Sequence, residues 1–160
     1  MIDFLVRLFA RRDPALSEAT PRDAAAIAAL HAASFHRGWS ESEIEQLLLD
    51  RNVLTHRAMI GTRLVGFILS RRVADEAEIL SVAVARHSRG RGLAQRLLDL
   101  HLRRLAGLGV RALFLEVGEE NTPARRLYRG AGFREVGRRE GYYPEPGGTR
   151  TAALVLRRDL

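Results

Sequence analysis

The stretch that most limits what this chain can become lies at its middle. A nearly continuous apolar run, Ile79–Val84, leads through Arg89-Gly90-Arg91-Gly92 into leucines at positions 93, 97, 98, 102 and 105. The run predicts a central strand buried on both faces. The leucine spacing predicts a helix over 93–108, ended by Gly107 and Gly109. The glycines between them let backbone approach a ligand closely. The helix start adds unpaired N–H groups and the positive end of a dipole, a combination suited to phosphate. Two common nucleotide motifs are excluded. The P-loop needs Gly-Lys-Ser/Thr, and all 26 basic residues of this chain are arginine. The dinucleotide fingerprint needs a third glycine where Gln95 stands.

Around this unit the elements alternate in kind. Ala15–Thr20 reads as a strand, and Thr20 before Pro21 starts a helix running to about Phe35. Ser40 with Glu43 forms a capping box for a second helix through about Asp50. Val53–Ile60 and Arg63–Val73 are strands joined by a hairpin turn at Gly61-Thr62. Strands over Ala77–Ala85, Ala112–Val117, Phe133–Glu140 and Thr149–Arg158, with a helix from Asn121 to about Gly130, complete the order βααβββαβαββ. That order predicts one α+β domain over 15–160, a central, mostly antiparallel mixed sheet flanked by helices. Residues 1–14 form a separate lead, with Ile2, Leu5, Val6 and Phe9 at helical spacing and Arg11 and Arg12 before Pro14. Arg7 cuts the apolar stretch too short for a secretory signal; packing on the domain or on a partner is the expected role, with membrane-surface attachment as a basic amphipathic helix the alternative.

Composition removes several classes of function. At 160 residues, 46% hydrophobic and 28% charged, the chain has the balance of a single folded domain. No stretch approaches 18 uncharged apolar residues, so no membrane span is expected. The absence of cysteine excludes thiol nucleophiles, disulfides and cysteine-bound zinc, and leaves cytoplasm as the default compartment. The five histidines show no ligand spacing, and no metal is expected. The net charge of +7 suits a phosphate-bearing partner. Yet the arginines are spread along the chain, and codon bias in a GC-rich genome favours arginine equally well. No specific nucleic-acid binding is expected.

Arg89-Gly90-Arg91-Gly92-Leu93-Ala94 matches the acetyl-CoA loop of the GNAT N-acetyltransferases, [R/Q]-x-x-G-x-[G/A]. Three further segments stand in that family's order: Leu80–Val84, Leu113–Val117 and Asn121–Phe133. Within the superfamily the chain most resembles the bacterial ribosomal-protein alanine N-acetyltransferases (the RimI group). That closer likeness rests on Trp39-Ser40-Glu41, on Leu115-Glu116-Val117 and on Arg139-Glu140-Gly141-Tyr142-Tyr143-Pro144. It departs from the pattern at Gly118, where arginine is common, and in Glu119-Glu120 beyond it.

The resemblance implies a GNAT-like fold and transfer of an acetyl group from acetyl-CoA, by direct attack in a ternary complex. The implied acceptor is the N-terminal α-amine of a protein, namely the N-terminal alanine of a small-subunit ribosomal protein. A lysine side chain, a small amine, or a non-catalytic acyl-CoA- or RNA-binding role are the alternatives. The implied cofactor residues are Val82, Ala83, Val84, Arg89, Gly90, Arg91, Gly92, Leu93, Ala94, Gln95 and Asn121, with charge added by Arg86 and Arg125. Read from the residues alone, Val82–Val84 is core strand and Asn121 a helix cap. Glu116, an acid in an apolar strand, is either the implied general base or the partner of an arginine. Tyr128 is either the implied general acid, its phenol protonated at neutral pH, or an aromatic packing residue. Trp39, Tyr142 and Tyr143 are the implied acceptor-binding wall, and equally aromatic cover for an open edge.

Overall fold

The computed structural model describes residues 12–144, 147 and 150–160, and of 142–144 and 150 the backbone alone. The elements are β1 (Ala15–Glu18), α1 (Ala24–Ser34), α2 (Glu41–Leu49), β2 (Val53–Ile60), β3 (Arg63–Val73), β4 (Glu76–Val84), α3 (Leu93–Gly107), β5 (Ala112–Gly118), α4 (Thr122–Gly130), β6 (Arg134–Pro144) and β7 (Arg150–Asp159). The expected helix over 21–35 begins instead with a 3₁₀ turn at Pro21–Asp23. There the Asp23 carboxylate accepts the Thr20 N–H at 2.8 Å and pairs with Arg57 on β2, so the chain enters α1 only after that anchor. At α2 the reciprocal cap forms as the sequence predicts: Ser40 Oγ accepts the Glu43 N–H, and Glu43 accepts the Ser40 N–H.

The seven strands form one sheet in the order β1-β2-β3-β4-β5-β7-β6. Every adjacent pair is antiparallel except β4 with β5. That single parallel pair is short: it registers only Glu76, Ala77 and Glu78 against Ala112, Leu113 and Phe114. Beyond these residues β4 pairs with β3 alone and β5 with β7 alone. The sheet therefore splits into two halves that diverge toward the C-terminal ends of β4 and β5, the end of a parallel pair where ligands bind in α/β sheets.

A bulge shapes one lip of this cleft. Ser70 registers with Ile79 and Leu69 with Ser81, which leaves Leu80 as the extra residue of β4. The bulge reverses the strand's alternation. Ala77 and Ile79 face the α3 side before it, and Val82 and Val84 face the same side after it. The near-continuous apolar run reflects cover on both faces, as the sequence predicts: Ile79 and Val84 lie in the core under α3, while Ala83 and Leu80 pack in the core on the opposite side. Leu80 and Val82 are only half-buried.

Two cores lie on the two sides of the sheet. On one, α3 buries Leu93, Leu97, Leu98, Leu102 and Leu105 with Leu113, Leu115 and Val117 of β5. Gly66 makes the close approach possible, because a Cβ there would lie 3.1 Å from Leu97 Cδ1 and 3.3 Å from the Ala83 carbonyl. On the other, α1 and α2 pack Ile27 and Ile44 onto Phe67, Leu69 and Ala83. The α1–α2 layer contacts β2, β3 and β4. Of the lead segment, Asp13 and Pro14 meet Arg96 of α3; the helical spacing read in residues 2–9 falls outside the described residues.

Candidate active site

The loop between β4 and α3 sits at the mouth of the cleft. Gly90 and Gly92 are left-handed, with φ of 75° and 73°, and a Cβ at either position would meet nothing within 4 Å. Backbone conformation, not crowding, is what requires glycine there. Gly92 is the N-cap of α3 and offers no side chain to it. The N–H groups of Leu93, Ala94 and Gln95 precede the first intrahelical bond, which Arg96 makes to the Gly92 carbonyl at 3.0 Å. They form an uncapped, positively polarised helix start suited to a pyrophosphate. Arg86 and Arg91 are exposed beside it. Arg89 is exposed as well, but its Nε donates to the Val84 carbonyl at 2.9 Å and so ties the loop to the end of β4. Gln95 donates to Asp99 at 2.8 Å.

Glu116 and Tyr128 reach the cleft from opposite faces. On β5, Leu113, Leu115 and Val117 point into the α3 core, so alternation puts Phe114 and Glu116 on the other face. Tyr128 of α4 lies in the α3 core with Val82 and Val84 of one lip and Leu115 and Val117 of the other. Its ring meets Phe133 edge-on at 5.6 Å between centroids. Glu116 has 19% of its side chain exposed and pairs with Arg139 Nη1 at 3.1 Å. The arginine partner expected of a carboxylate in an apolar strand is therefore present, and it comes from β6, two strands away. Gly137 leaves the lane open: Glu116 registers with Val155 on β7, and Val155 with Gly137 on β6.

The remaining predicted residues divide. Asn121 caps α4, its Oδ1 accepting the Ala124 N–H at 3.2 Å. Trp39 is engaged within the α1–α2 layer: its ring stacks on His31 at 4.4 Å and its backbone N–H donates to His31 Nδ1 at 3.1 Å. His31 is thereby fixed as the neutral ring with its proton on Nε2, and burial lowers its pKa, partly opposed by Glu43. The side chains of Tyr142 and Tyr143 lie outside the described residues, while their backbone forms the end of β6. Glu119 is committed to a two-point pair with Arg138, at 2.8 and 3.2 Å, which holds its carboxyl below the usual range. Glu120 beyond it is exposed.

One arrangement left no trace in the sequence. His101 of α3, buried under the sheet, sits with Nδ1 2.8 Å from His56 Nδ1 on β2 and Nε2 2.7 Å from Ser70 Oγ on β3. Burial, and then the neighbouring His56, pushes the His101 pKa down to about 3. The three residues lie 45 and 31 positions apart, a separation without local signal.

A sheet parted at one parallel pair, with a glycine loop and an uncapped helix at the opening, defines an acyl-CoA-dependent acetyltransferase architecture. The chain belongs to the acetyltransferase (GNAT) family, whose model matches residues 24–133. Among individual proteins it is similar to the [ribosomal protein bS18]-alanine N-acetyltransferase of Escherichia coli K12, 33% identical over 117 residues, covering 73% of this chain and 78% of that one. The enzyme of the same name from Haemophilus influenzae is 39% identical over 96 residues, covering 60% of this chain. That match spans 65% of the relative's length, short of two thirds. The crystal structure of the ribosomal-protein-S18-alanine N-acetyltransferase from E. coli superposes with a TM-score of 0.85 at 27% identity, covering 91% of this chain and 93% of that one.

Proposed function

We propose that this protein transfers the acetyl group of acetyl-CoA to the N-terminal α-amine of a protein, the N-terminal alanine of a small-subunit ribosomal protein being the acceptor. The observation that carries the reading is the placement of Glu116 and Tyr128 on opposite faces of the β4–β5 cleft. A base and an acid so arranged serve two different reactants that meet between the strands. The glycine loop and the first N–H groups of α3 fit the cofactor's pyrophosphate, and the unpaired edge of β4 over 82–84 fits its extended arm. Acetyl-CoA supplies an activated carbonyl and a thiolate leaving group. On the acceptor side Glu116 takes a proton from the incoming ammonium, through water, and leaves the amine neutral for attack. A backbone N–H of β4 polarises the carbonyl under attack. From the other face Tyr128 donates its phenolic proton to the departing sulfur, and the second proton that the nitrogen sheds on becoming an amide passes through solvent to restore the phenol.

Acceptor choice follows from proton affinity. An α-amine has a pKa of about 7.7–8.0 against about 10.4 for lysine, so roughly a tenth of it is neutral at pH 7. One carboxylate working through water suffices for the first. For lysine it falls short by about 3 kcal/mol. The names of the relatives point the same way. Peptides with a free or a blocked N-terminus, each carrying an internal lysine and read by mass spectrometry, test the reading. Acetylation confined to the free terminus is the expected result, strongest with alanine first. Equal acetylation of the blocked peptide would overturn it.

A further inference from the structure

The net charge of this molecule is not spread over it. Segments 86–107 and 121–133, which hold the glycine loop, α3 and α4, contain nine arginines and one acid, Asp99. They carry a charge of +8, whereas the rest of the chain, with 17 arginines and 18 acids, comes to −1. Across the sheet, residues 21–50 with α1 and α2 hold two arginines against five acids. Codon bias exchanges lysine for arginine everywhere. It does not clear acids from one layer.

Some of this charge is accounted for by the cofactor loop, where Arg86, Arg89 and Arg91 lie, and by Arg125, which donates to the Glu119 carbonyl. Arg96, Arg103, Arg104, Arg126 and Arg129 are exposed on α3 and α4; Arg96 stands in the first turn after that loop, and the other four lie farther along the two helices. Arg96 and Arg103 share one stripe of α3 about 10 Å apart, and Arg126 and Arg129 share one stripe of α4. Arg96 makes a long 3.8 Å pair with exposed Asp13; for the other four no ion pair is recorded among the described residues. Asp99, the one acid, is occupied by Gln95. The support is rigid, since α3 is fastened by five buried leucines and His101.

We infer that the outer face of α3 and α4 docks RNA through its phosphates, without reading sequence. Guanidinium groups fit phosphate oxygens in pairs, and charge held on rigid helices is pre-ordered for a regular backbone. A lipid surface is the poorer fit, because interfacial helices insert apolar side chains. The exposed large hydrophobics of the described residues, Phe35, Leu49, Val73 and Val136, all lie off this face. The choice of RNA among polyanions rests on the proposed ribosomal acceptor; the charge segregation does not.

Fluorescence anisotropy with a labelled RNA hairpin and the full-length protein, from about 50 to about 200 mM salt, tests the inference. Arg103→Glu/Arg104→Glu should weaken binding about tenfold or more and flatten the salt dependence by about one to two units of slope. Arg103→Gln/Arg104→Gln, gentler on the helix, should lose about half that effect on a logarithmic scale. Arg51→Glu/Arg63→Glu, an equal charge change at exposed sites outside these two segments, should stay within about twofold. Acetylation of a short free peptide should be unchanged in all three, which separates a failed docking surface from a failed acceptor assignment. Equal losses in both glutamate pairs would overturn the inference. So would displacement of the RNA by saturating acetyl-CoA, or equally tight binding to vesicles of anionic lipid.

Discussion

Glu116 and Tyr128 take different kinds of surroundings, and each makes a separate prediction. Tyr128→Phe keeps the buried ring and its edge-on contact with Phe133, so folding should be unaffected. Loss of the hydroxyl should lower turnover about 10²-fold or more, the scale of a lost general acid, in steady-state assays at saturating substrates. Glu116→Gln removes the charge that Arg139 holds in place. Its rate should fall most at the acidic end of the pH profile, where more of the amine is protonated. A flat deficit across pH would assign Glu116 to positioning alone. Trp39 serves two descriptions at once, since its ring stacks on His31 while the residue lines a surface cavity with Glu43, Leu47 and Arg71. An exposed-looking aromatic between two helices reads the same from sequence whether it faces a ligand or a neighbouring ring.

Among the elements, α3 joins the cofactor loop at its first turn to the buried histidines at its third. Gly92→Val places a β-branched residue at φ 73°, which strains the turn by about 1–2 kcal/mol and sets a side chain where phosphate is to approach. Calorimetry should find acetyl-CoA binding lost while circular dichroism stays near wild type. The His56–His101–Ser70 contacts predict an acid-sensitive clamp between α3, β2 and β3. Both imidazoles have pKa values lowered by burial, His101 to about 3 from an ordinary 6.5. The unfolded chain therefore takes up protons that the folded one refuses, and stability contributed above pH 6.5 is lost as pH falls toward 3. Denaturant unfolding should show that loss, and His101→Phe should reduce its steepness even though it costs stability at pH 7. Element positions were legible because their signals are local: Ser40 with Glu43, Gly61-Thr62, the leucine period. The histidine cluster and the Glu116–Arg139 pair were not, because tertiary pairing alone brings those residues together. The bulge at Leu80 was half visible, as apolar residues at 77 and 79 and again at 82 and 84.

For the molecule as a whole, the divergence of β4 from β5 has a consequence for survival as well as for chemistry. Over 79–84 and 115–118 each half-sheet ends on an edge of backbone donors and acceptors that no strand among the described residues pairs. Such edges are templates for foreign strands, and proteins ordinarily blunt them with charge, proline or cover. Here the lips are Ile79–Val84 and Leu115–Gly118, with one charge, Glu116, between them. A ligand arm lying along the β4 lip acts as a splint. At about 100 times its Kd, acetyl-CoA should add about 2.7 kcal/mol of stability, raising Tm by roughly 5–10 °C. Amide exchange should slow at 79–84 and 115–118 before it slows elsewhere. Protein prepared without acetyl-CoA should aggregate faster on warming than protein prepared with it. Metabolic supply of the acetyl donor would then govern how long this protein lasts, so that starvation lowers its abundance along with its rate.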